Sequence, residues 1–359
     1  MEEKIYLAGL HALGISHAKL TQIFEKKQNY KEVYENISSS FLKKFGFTQN
    51  QITTIIENRK KQFLSQINNK LQARKVQIYT ITDSEFPDTL KNIPHTPYLI
   101  YVRGKIPQGP ALSVVGSRSM TSYGSKCIEN IVAGVCEYFT IISGGAAGCD
   151  TWAHKVALEK SCPTIAVIGT GIDQDYPVSN KKIYDYIANH KGAVISIFPV
   201  ETPGNPYNFP IRNELVAGMS LGVLVVEAKQ KSGTLITANL ALDMGKEVFA
   251  IPGDIFHSQS AGCNTLIQSG TAKPVLTKNC ILEEFNVADK KSVESVGKNR
   301  HFENKLEQQM YNALFLEPLS IDQMGEKIEV PSKKISHHVS ILEIGGYIKK
   351  TLGGKYEIA

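Results

Sequence analysis

Hydrophobic and polar residues follow two different periods along the chain, and the change between them falls near residue 76. Up to residue 75, apolar positions recur at helical spacing, as in the segments KLTQIFEKK and QITTIIENRKKQFLSQI. The turns HALGIS and KFGFTQ each place a glycine just before a Ser or Thr that can cap the following helix. The pattern therefore predicts several short helices over residues 1–75.

From residue 76 the chain carries eight short runs rich in Val and Ile, most of them separated by amphipathic stretches. The runs are VQIYTI, YLIYV, LSVVG, FTIISGG, TIAVIG, AVISIF, GVLVVEA and EVFAIPG. Apolar strands that alternate with helices are typical of a parallel sheet covered by helices on both faces. Residues 76–285 are thus predicted to form an α/β, Rossmann-like, doubly wound and mostly parallel sheet. The first two runs precede the regular alternation, so we expect them to extend the sheet in an antiparallel manner.

The C-terminal part predicts a linker followed by a small separate domain. Residues 286–300 are polar and aperiodic, which is typical of a linker. Residues 301–359 predict three helices and a hairpin that turns at Gly353 and Gly354, the order of elements in a winged helix. This segment holds 7 Lys and Arg against 8 Asp and Glu, so a protein contact fits it as well as DNA reading does.

The chain of 359 residues has a formal net charge of +6, and the excess lies at its N-terminal end. Residues 1–75 hold 13 Lys and Arg against 6 Asp and Glu, a charge that attracts polyanions.

No apolar stretch approaches the roughly 20 residues of a membrane span, and the start MEEKIYLAGL does not resemble a secretory signal. The six cysteines are scattered, which predicts small buried thiols in a reducing cytoplasm, with no disulfide or metal framework.

Four of the predicted strands end in glycines and small hydroxyl residues. The segments are Gly116-Ser117-Arg118, Ser143-Gly144-Gly145 continuing to Gly148, Gly169-Thr170-Gly171, and Ser232-Gly233-Thr234. The carboxyl ends of parallel strands share one edge of a sheet, where glycines let backbone N–H groups approach an anion. Arginine adds a bidentate donor. These loops therefore predict a phosphate-binding rim, with Arg118 as its charged member.

The spacing of these glycines does not fit the common nucleotide sites. Dinucleotide folds need G-x-G-x-x-G and an acid at the end of the next strand, P-loops need G-x-x-x-x-G-K-[ST], and the chain has neither. The segment YNFPIRNELVAG adds Phe209, Arg212 and Asn213, and a ring beside an arginine is typical of single-stranded nucleic-acid binding. Asp150 and His154 lie four residues apart at a helix start, where such a pair more commonly braces than catalyses.

Taken in chain order, several segments resemble the DprA (Smf) family of DNA-processing proteins. They are VVGSR (114–118), TSYG (121–124), SGGAAGCDTWAH (143–154), TIAVIGTGIDQDYP (164–177), FPIRN (209–213), VEAKQKSGTLITANLAL (226–242), VFAIPG (248–253) and AGCNTLIQSG (261–270). The winged helix also resembles a part that many members carry. The helical module is similar to helix-hairpin-helix and SAM-like modules, with a plain helical scaffold as the alternative.

The resemblance implies a cytoplasmic, dimeric protein without catalytic activity or cofactor. Such a protein binds incoming single-stranded DNA, protects it in natural transformation and loads the RecA recombinase onto it. The resemblance places Arg118 on the DNA backbone, and it adds Lys181 or Lys182. The candidate DNA- and phosphate-binding residues are Gly116, Ser117, Arg118, Thr121, Tyr123, Ser143, Gly144, Gly145, Gly148, Gly169, Thr170, Gly171, Lys181, Lys182, Phe209, Arg212, Asn213, Ser232, Gly233 and Thr234. No catalytic residue or metal ligand is predicted.

Three positions depart from the family pattern, and two of them remove a cation. Ile197 follows the segment AVIS, where family members often have S-E. Ala147 stands at the arginine of the common S-G-x-A-R-G-I-D segment, and Glu214 stands at the last arginine of R-N-R. Two fewer cations are expected to weaken binding in the pocket without moving it. The alternative function is that of a LOG-type nucleoside-monophosphate phosphoribohydrolase, which shares this fold. The loop of those enzymes, P-G-G-x-G-T-x-x-E, has a glutamate where this chain has Thr237.

Overall fold

The computed structural model describes residues 2–26, 29–59, 63–287, 302, 304–314, 318–351 and 353–358. The chain forms two compact units, Met1–Phe285 and Asn286–Ala359. Of the predicted linker, residues 288–300 lie outside the described residues. Within the part of the chain that is described, no helix is long and apolar enough to cross a bilayer.

The N-terminal segment forms short helices, as its periodicity predicts. They are α1 (Glu2–Ala12), α2 (His17–Phe24), α3 (Tyr30–Glu35), α4 (Ser39–Lys44), α5 (Gln49–Asn58) and α6 (Phe63–Ala73). Thr48 caps α5 and forms a reciprocal capping box with Gln51. Ser16 stands at the start of α2, but its hydroxyl makes no capping hydrogen bond.

A nine-stranded sheet forms the centre of the first unit. Its strands are β1 (Val76–Thr80), β2 (Leu99–Gly104), β3 (Ala111–Val115), β4 (Thr140–Ser143), β5 (Thr164–Val167), β6 (Gly192–Ser196), β7 (Gly222–Val225), β8 (Glu247–Ala250) and β9 (Lys273–Pro274). The spatial order is β1-β2-β6-β5-β4-β3-β7-β8-β9. The pairs β1–β2 and β2–β6 are antiparallel, and all other neighbours are parallel. The doubly wound sheet and its antiparallel extension are therefore confirmed.

Helices connect these strands. They are α7 (Asp88–Lys91), α8 (Ser122–Cys127), α9 (Ala133–Val135), α10 (Cys149–Glu159), α11 (Lys181–Asn189), α12 (Asn208–Gly218), α13 (Gly233–Asp243), α14 (Ala261–Gln268) and α15 (Asn279–Glu284). A π-helical turn, Ile128–Val132, joins α8 to α9. Every residue of β3 and β6 is buried, which explains why these strands are continuous apolar runs rather than alternating ones.

The helical module and the sheet share one hydrophobic core. A single cluster of buried residues contains Leu7 of α1 and Tyr101 of β2. A polar contact crosses the same junction, because His17 Nε2 lies 2.8 Å from the carbonyl oxygen of Ile197. The predicted boundary at residue 75 therefore marks a change of secondary structure within one packed body.

The second unit has a core of its own. Its elements are α16 (Lys305–Leu314), α17 (Ile321–Ile328), α18 (Ser332–Ile344), β10 (Ile348–Lys350) and β11 (Tyr356–Ile358), and the two strands pair antiparallel. Met310, Met324 and Val339 are buried together, one from each helix. These are the three helices and the hairpin that the pattern predicts, and their assignment as a winged helix stays a prediction.

The prediction of no disulfide is wrong for one pair of cysteines. Cys136 and Cys162 form a disulfide, and their Cα atoms are 5.7 Å apart. Cys136 follows α9 and Cys162 precedes β5, so the fold brings together two turns separated by 26 positions. Scattered spacing does not reveal such a pair, because the pairing depends on where the turns meet in space. Cys149 and Cys263 are free and buried, as predicted.

Candidate functional site

The strand order reverses at β3. The chain continues from β3 to β4 on one side and later returns to β7 on the other. At such a switch point the loops that leave the carboxyl ends of neighbouring strands diverge, which leaves a crevice between them. A cleft of about 690 Å³ opens there, lined by the loops after β3, β4 and β7. Three of the four predicted glycine segments therefore meet in one place.

The structure brings ten of the predicted site residues to this cleft. They are Gly116, Ser117, Arg118, Gly144, Phe209, Arg212, Asn213, Ser232, Gly233 and Thr234. Gly145 and Gly169 line a smaller neighbouring pocket of about 90 Å³, which shares Arg118 and Phe209 with the cleft. The cleft and the pocket thus adjoin, and Arg118 and Phe209 are among the residues that line both.

Arg118 presents its side chain to both spaces. It is exposed, and its guanidinium carbon lies 5.3 Å from the centroid of the Phe209 ring, within cation–π range. Among the residues that the structure describes, no carboxylate forms a salt bridge with Arg118. Its guanidinium donors are therefore available to an anionic ligand.

The backbone on either side of Arg118 is held by groups from distant parts of the chain. The Ser117 carbonyl accepts a hydrogen bond from the backbone N–H of Cys149 at 3.1 Å. The Ser119 carbonyl accepts one from Gln259 Nε2 at 3.0 Å. Because the flanking carbonyls are both bonded, the loop positions the arginine while leaving its side chain free.

A buried carboxylate secures the end of the same loop. Glu227 is 2% exposed, and its carboxylate accepts hydrogen bonds from the Thr121 N–H at 2.9 Å and from the Thr121 hydroxyl. The Thr121 hydroxyl oxygen also accepts from the Gly124 N–H at 3.2 Å, which caps α8. Thr121 is therefore engaged within the protein and lies outside the cleft lining.

Arg212 lines the cleft but is almost fully buried, and its Nη1 group is bonded within the protein. It is 4% exposed, and its Nη1 donates to the Val167 carbonyl at 2.7 Å and to the Gly144 carbonyl. Burial lowers the pKa of the guanidinium, and the neighbouring Asp150 opposes this shift. Burial likewise raises the pKa of Asp150, and Arg212 opposes that shift. The arginine joins the ends of β4 and β5 and compensates a buried carboxylate.

The inner side of the Gly144–Gly148 loop is packed against protein groups. Gly145 has a φ of +67°, and a Cβ there would meet the Tyr184 hydroxyl at 2.5 Å. A Cβ at Gly144 would collide with the Arg212 guanidinium. These two glycines are required because the backbone passes close to large buried side chains.

Asp150 and His154 brace this region separately and do not bond to each other. Asp150 Oδ2 accepts from the Ala146 N–H at 3.2 Å. His154 Nδ1 lies 2.8 Å from Thr164 Oγ1, whose hydroxyl donates to a backbone carbonyl, so Nδ1 carries the proton. Burial lowers the pKa of His154 to about 3. The bracing interpretation of this pair fits the structure.

The N-terminus of α13 forms another part of the cleft wall. Ser232 precedes the helix, makes no capping hydrogen bond, and has a buried hydroxyl oxygen without a hydrogen-bond partner. Gly233 and Thr234 begin the eleven-residue helix beside it. The exposed Lys229 adds a cation to the same wall. Free N–H groups, a hydroxyl and the positive end of the helix dipole together suit an anion.

Eight predicted residues line neither space. They are Thr121, Tyr123, Ser143, Gly148, Thr170, Gly171, Lys181 and Lys182. The hydroxyls of Ser143 and Thr170 are buried and donate to the carbonyls of Val114 and Gln174 at 2.6 and 3.0 Å. Lys181 and its neighbour are exposed on α11. The hydroxyl-rich composition of these segments thus partly reflects internal bracing.

Among the cleft residues that were not predicted from the sequence, Tyr176 and Gln259 contact groups of the site. The Tyr176 ring lies 5.8 Å from the Phe209 ring, and the Y-P pair at the end of the G-x-x-x-x-Y-P segment was the available signal. Gln259 lines the cleft and is 6% exposed, and its Oε1 has no hydrogen-bond partner. No local pattern marks Gln259, because its role depends on contact with the loop around Arg118.

The two departures that remove a cation have different consequences. Ala147 is exposed and lines the smaller pocket, which therefore lacks the additional cation that an arginine at this position would supply. Glu214 does not line the cleft; its carboxylate accepts from the backbone N–H of His95 at 2.8 Å and contacts the ring Nδ1 at 2.9 Å. The expectation that Glu214 weakens the cleft is therefore not supported by its position.

A family of known proteins matches the part of the chain that forms the cleft. The family model described as DNA recombination-mediator protein A matches residues 77–286, more than half of the chain. The chain belongs to this family. The matched range contains the sheet from β1 onward and both walls of the cleft.

Similar members of the DNA recombination-mediator protein A family come from several bacteria. The DNA processing protein DprA of Streptococcus pneumoniae is 42% identical over 214 residues, 59% of this chain and 75% of that protein. The Bacillus subtilis protein is 34% identical over 246 residues, 66% of this chain and 82% of that protein. The X-ray structure of the S. pneumoniae protein has a TM-score of 0.65 at 34% identity and covers 78% of this chain and 97% of that chain. A Helicobacter pylori DprA structure, described for its single-stranded DNA binding mode, has a TM-score of 0.53 at 26% identity and covers 58% and 96%.

Proposed function

We propose that this chain binds single-stranded DNA in the cleft between the ends of β3 and β7 and catalyses no reaction there. The observation that carries the proposal is the exposed Arg118, free of carboxylate partners in the described part of the chain and stacked beside Phe209. A charged donor next to a half-buried ring that lines the cleft matches the backbone and the base of one nucleotide. The H. pylori relative, whose structure is described for single-stranded DNA binding, supports the proposal.

The cleft offers separate groups to the phosphate and to the base. Phosphate oxygens accept hydrogen bonds from Arg118, from the Ser232 hydroxyl and from the first N–H groups of α13. A base stacks on Phe209, and the nearby Tyr176 ring extends that apolar surface. Stacking accepts any base, so we expect binding with little sequence preference.

A salt series with an arginine variant tests this proposal. We expect Arg118→Ala to weaken binding of oligo-dT roughly tenfold or more, since a hydrogen bond to a charged group contributes about 1.5–3 kcal/mol. It should also reduce the slope of log K against log salt by about 0.7 for each phosphate that the arginine neutralises. Fluorescence anisotropy measures both quantities. Lys160→Ala, at the exposed C-terminal end of α10 away from the cleft, is the matched control. Equal affinity of the two variants, or binding that is independent of salt, would contradict the proposal.

We further propose that the bound strand is protected and handed to the RecA recombinase by a cytoplasmic homodimer. The family description as a recombination mediator supports this role. The decisive measurement is RecA filament formation on DNA coated with single-strand-binding protein. The full chain should accelerate it, and Arg118→Ala should not. No acceleration, despite tight DNA binding, would limit the function to strand binding.

The phosphoribohydrolase alternative lacks support at the position where its glutamate belongs. Thr237 is 2% exposed and lines the cleft without a carboxylate. Release of free base from nucleoside monophosphates by the purified protein would favour that alternative over DNA binding.

A further inference from the structure

The segment between β8 and α14 exposes two large apolar side chains. Phe256 is 92% exposed and Ile255 is 78% exposed. Their neighbours Asp254 and His257 are also exposed, so the apolar surface is small and has a polar border. A fully exposed phenylalanine ring gives up the favourable burial that such rings usually gain, which makes its position informative.

This segment is an ordered turn. Asp254 Oδ1 accepts from the Phe256 N–H at 2.8 Å. The Asn264 side chain accepts from the Gly253 N–H at 3.1 Å and donates to the Gly253 carbonyl at 3.0 Å. The exposed ring is therefore presented on a fixed backbone, at little further entropic cost on binding a ligand.

The same turn is bonded to the loop that carries Arg118. The Tyr123 hydroxyl donates to the Pro252 carbonyl at 2.6 Å, just before the turn. Gln259, just after it, lines the cleft and bonds the Ser119 carbonyl. Phe256 is three residues from Gln259, and three residues span at most about 10 Å. The backbone at Phe256 therefore lies within about 10 Å of a residue that lines the Arg118 side of the cleft.

We propose that Phe256 stacks against a base of the same DNA strand at a nucleotide outside the cleft, with Ile255 supporting the ring. The inference rests on the proposed function and adds a second contact point to it. An aromatic face accepts any base, and a ring makes no phosphate contact. The apolar patch is formed by two side chains, whereas a stable protein interface buries about 800 Å² on each partner. This difference favours a base over a protein as the occupant.

Oligonucleotides of two lengths distinguish binding in the cleft from binding at Phe256. Wild type, Phe256→Ala and Phe256→Tyr are titrated with oligo-dT of about 4 and about 16 nucleotides, which bracket the sites of single-strand-binding folds. Phe256→Ala should lose roughly five- to hundredfold affinity for the long oligonucleotide, the effect of one base stack. Its affinity for the short one and its salt slope should stay unchanged. Phe256→Tyr, which keeps the ring, should bind like wild type.

A matched control is Leu221→Ala. Leu221 is also exposed, but it directly precedes β7 and so lies at the amino ends of the parallel strands, whereas the cleft lies at their carboxyl ends. Photo-crosslinking with 5-iododeoxyuridine in the long oligonucleotide should label the peptide that contains Phe256.

Equal affinity of wild type and Phe256→Ala for the long oligonucleotide would overturn the inference and leave the cleft proposal intact. Absence of binding by wild type would instead reject the proposed function itself. Sedimentation in which Phe256→Ala dissociates an oligomer without weakening DNA binding would assign the ring to a protein contact and overturn the inference.

Discussion

Arg118 is positioned by side chains that are distant from its loop along the chain. Glu227 is 106 residues from Thr121, and Gln259 is 140 residues from Ser119. Both side chains bond the loop itself, so a change in either one should alter DNA binding without touching the arginine.

Removing the negative charge of Glu227 should weaken DNA binding, although charge alone predicts the opposite. Glu227→Gln keeps the size of the side chain but leaves one of the two Thr121 donors facing an amide NH2 group. We expect the free energy of unfolding to fall by about 1–3 kcal/mol, the cost of an unsatisfied buried group. The loosened loop should also lower oligo-dT affinity.

Anisotropy titration and denaturant unfolding measure these two effects. Glu129→Gln makes the same charge change at an exposed carboxylate that accepts from Trp152 Nε1, and it serves as the control. Tighter DNA binding by Glu227→Gln than by the control would show that the electrostatic effect exceeds the loss of positioning.

The local sequence pattern predicted Arg118 but not the residues that hold its loop. The strand, the glycine and the arginine are adjacent in sequence, so the pattern predicts an arginine at the carboxyl edge of the sheet. Glu227 and Gln259 contact this loop only in the folded chain, and a single sequence carries no signal of such contacts.

At the level of elements, hydrophobic periodicity predicted eight strands of the sheet but not the short strand at one of its edges. All eight predicted runs are strands, and the parallel strands among them were recognisable because strands buried on both faces are apolar along their length. The ninth strand, Lys273–Pro274, is two exposed residues long and has no such pattern. The shared core at residue 75 was also missed, because periodicity identifies helices but does not show what their apolar faces contact.

Buried histidines should make the first unit sensitive to acid. Burial lowers the pKa of His154 to about 3, and it lowers the pKa values of His11 and His17 from 6.5. Below pH 6.5 the unfolded chain therefore binds more protons than the folded chain, and stability falls as the pH falls. Each such histidine contributes a slope of up to about 1.4 kcal/mol per pH unit between its unfolded and folded pKa values.

Denaturant unfolding at pH 7.5, 6.5 and 5.5 checks this dependence. Stability should change little over the first interval and decrease over the second. His154→Gln should flatten the second interval, and the exposed His190→Gln should not. An unchanged pH slope in His154→Gln would show that this ring does not stay neutral in the folded protein at pH 5.5.

At the level of the whole molecule, charge counted by segment overstates the basic surface of the N-terminal helices. Lys4 pairs with Asp83 at 2.7 Å, and Arg74 pairs with Asp175 at 2.9 Å. Both acidic partners belong to the sheet domain, so part of the excess positive charge of residues 1–75 is neutralised across the shared core. Attraction of a polyanion by this segment should therefore be weaker than its composition suggests.

The division into two units predicts which part of the chain binds DNA. The cleft lies entirely within Met1–Phe285, and so does the turn that carries Phe256. This unit has its own hydrophobic core. A chain ending at Val287 should therefore fold, melt at the temperature of the first unit and bind short oligo-dT with the affinity of the full chain. The removed residues 288–359 hold 11 Lys and Arg against 10 Asp and Glu, so they are close to neutral and should add little to that affinity. Loss of binding in a shortened chain that still melts cooperatively would contradict this prediction and place the DNA contact in the second unit. It would favour a regulatory adaptor that acts through its C-terminal unit.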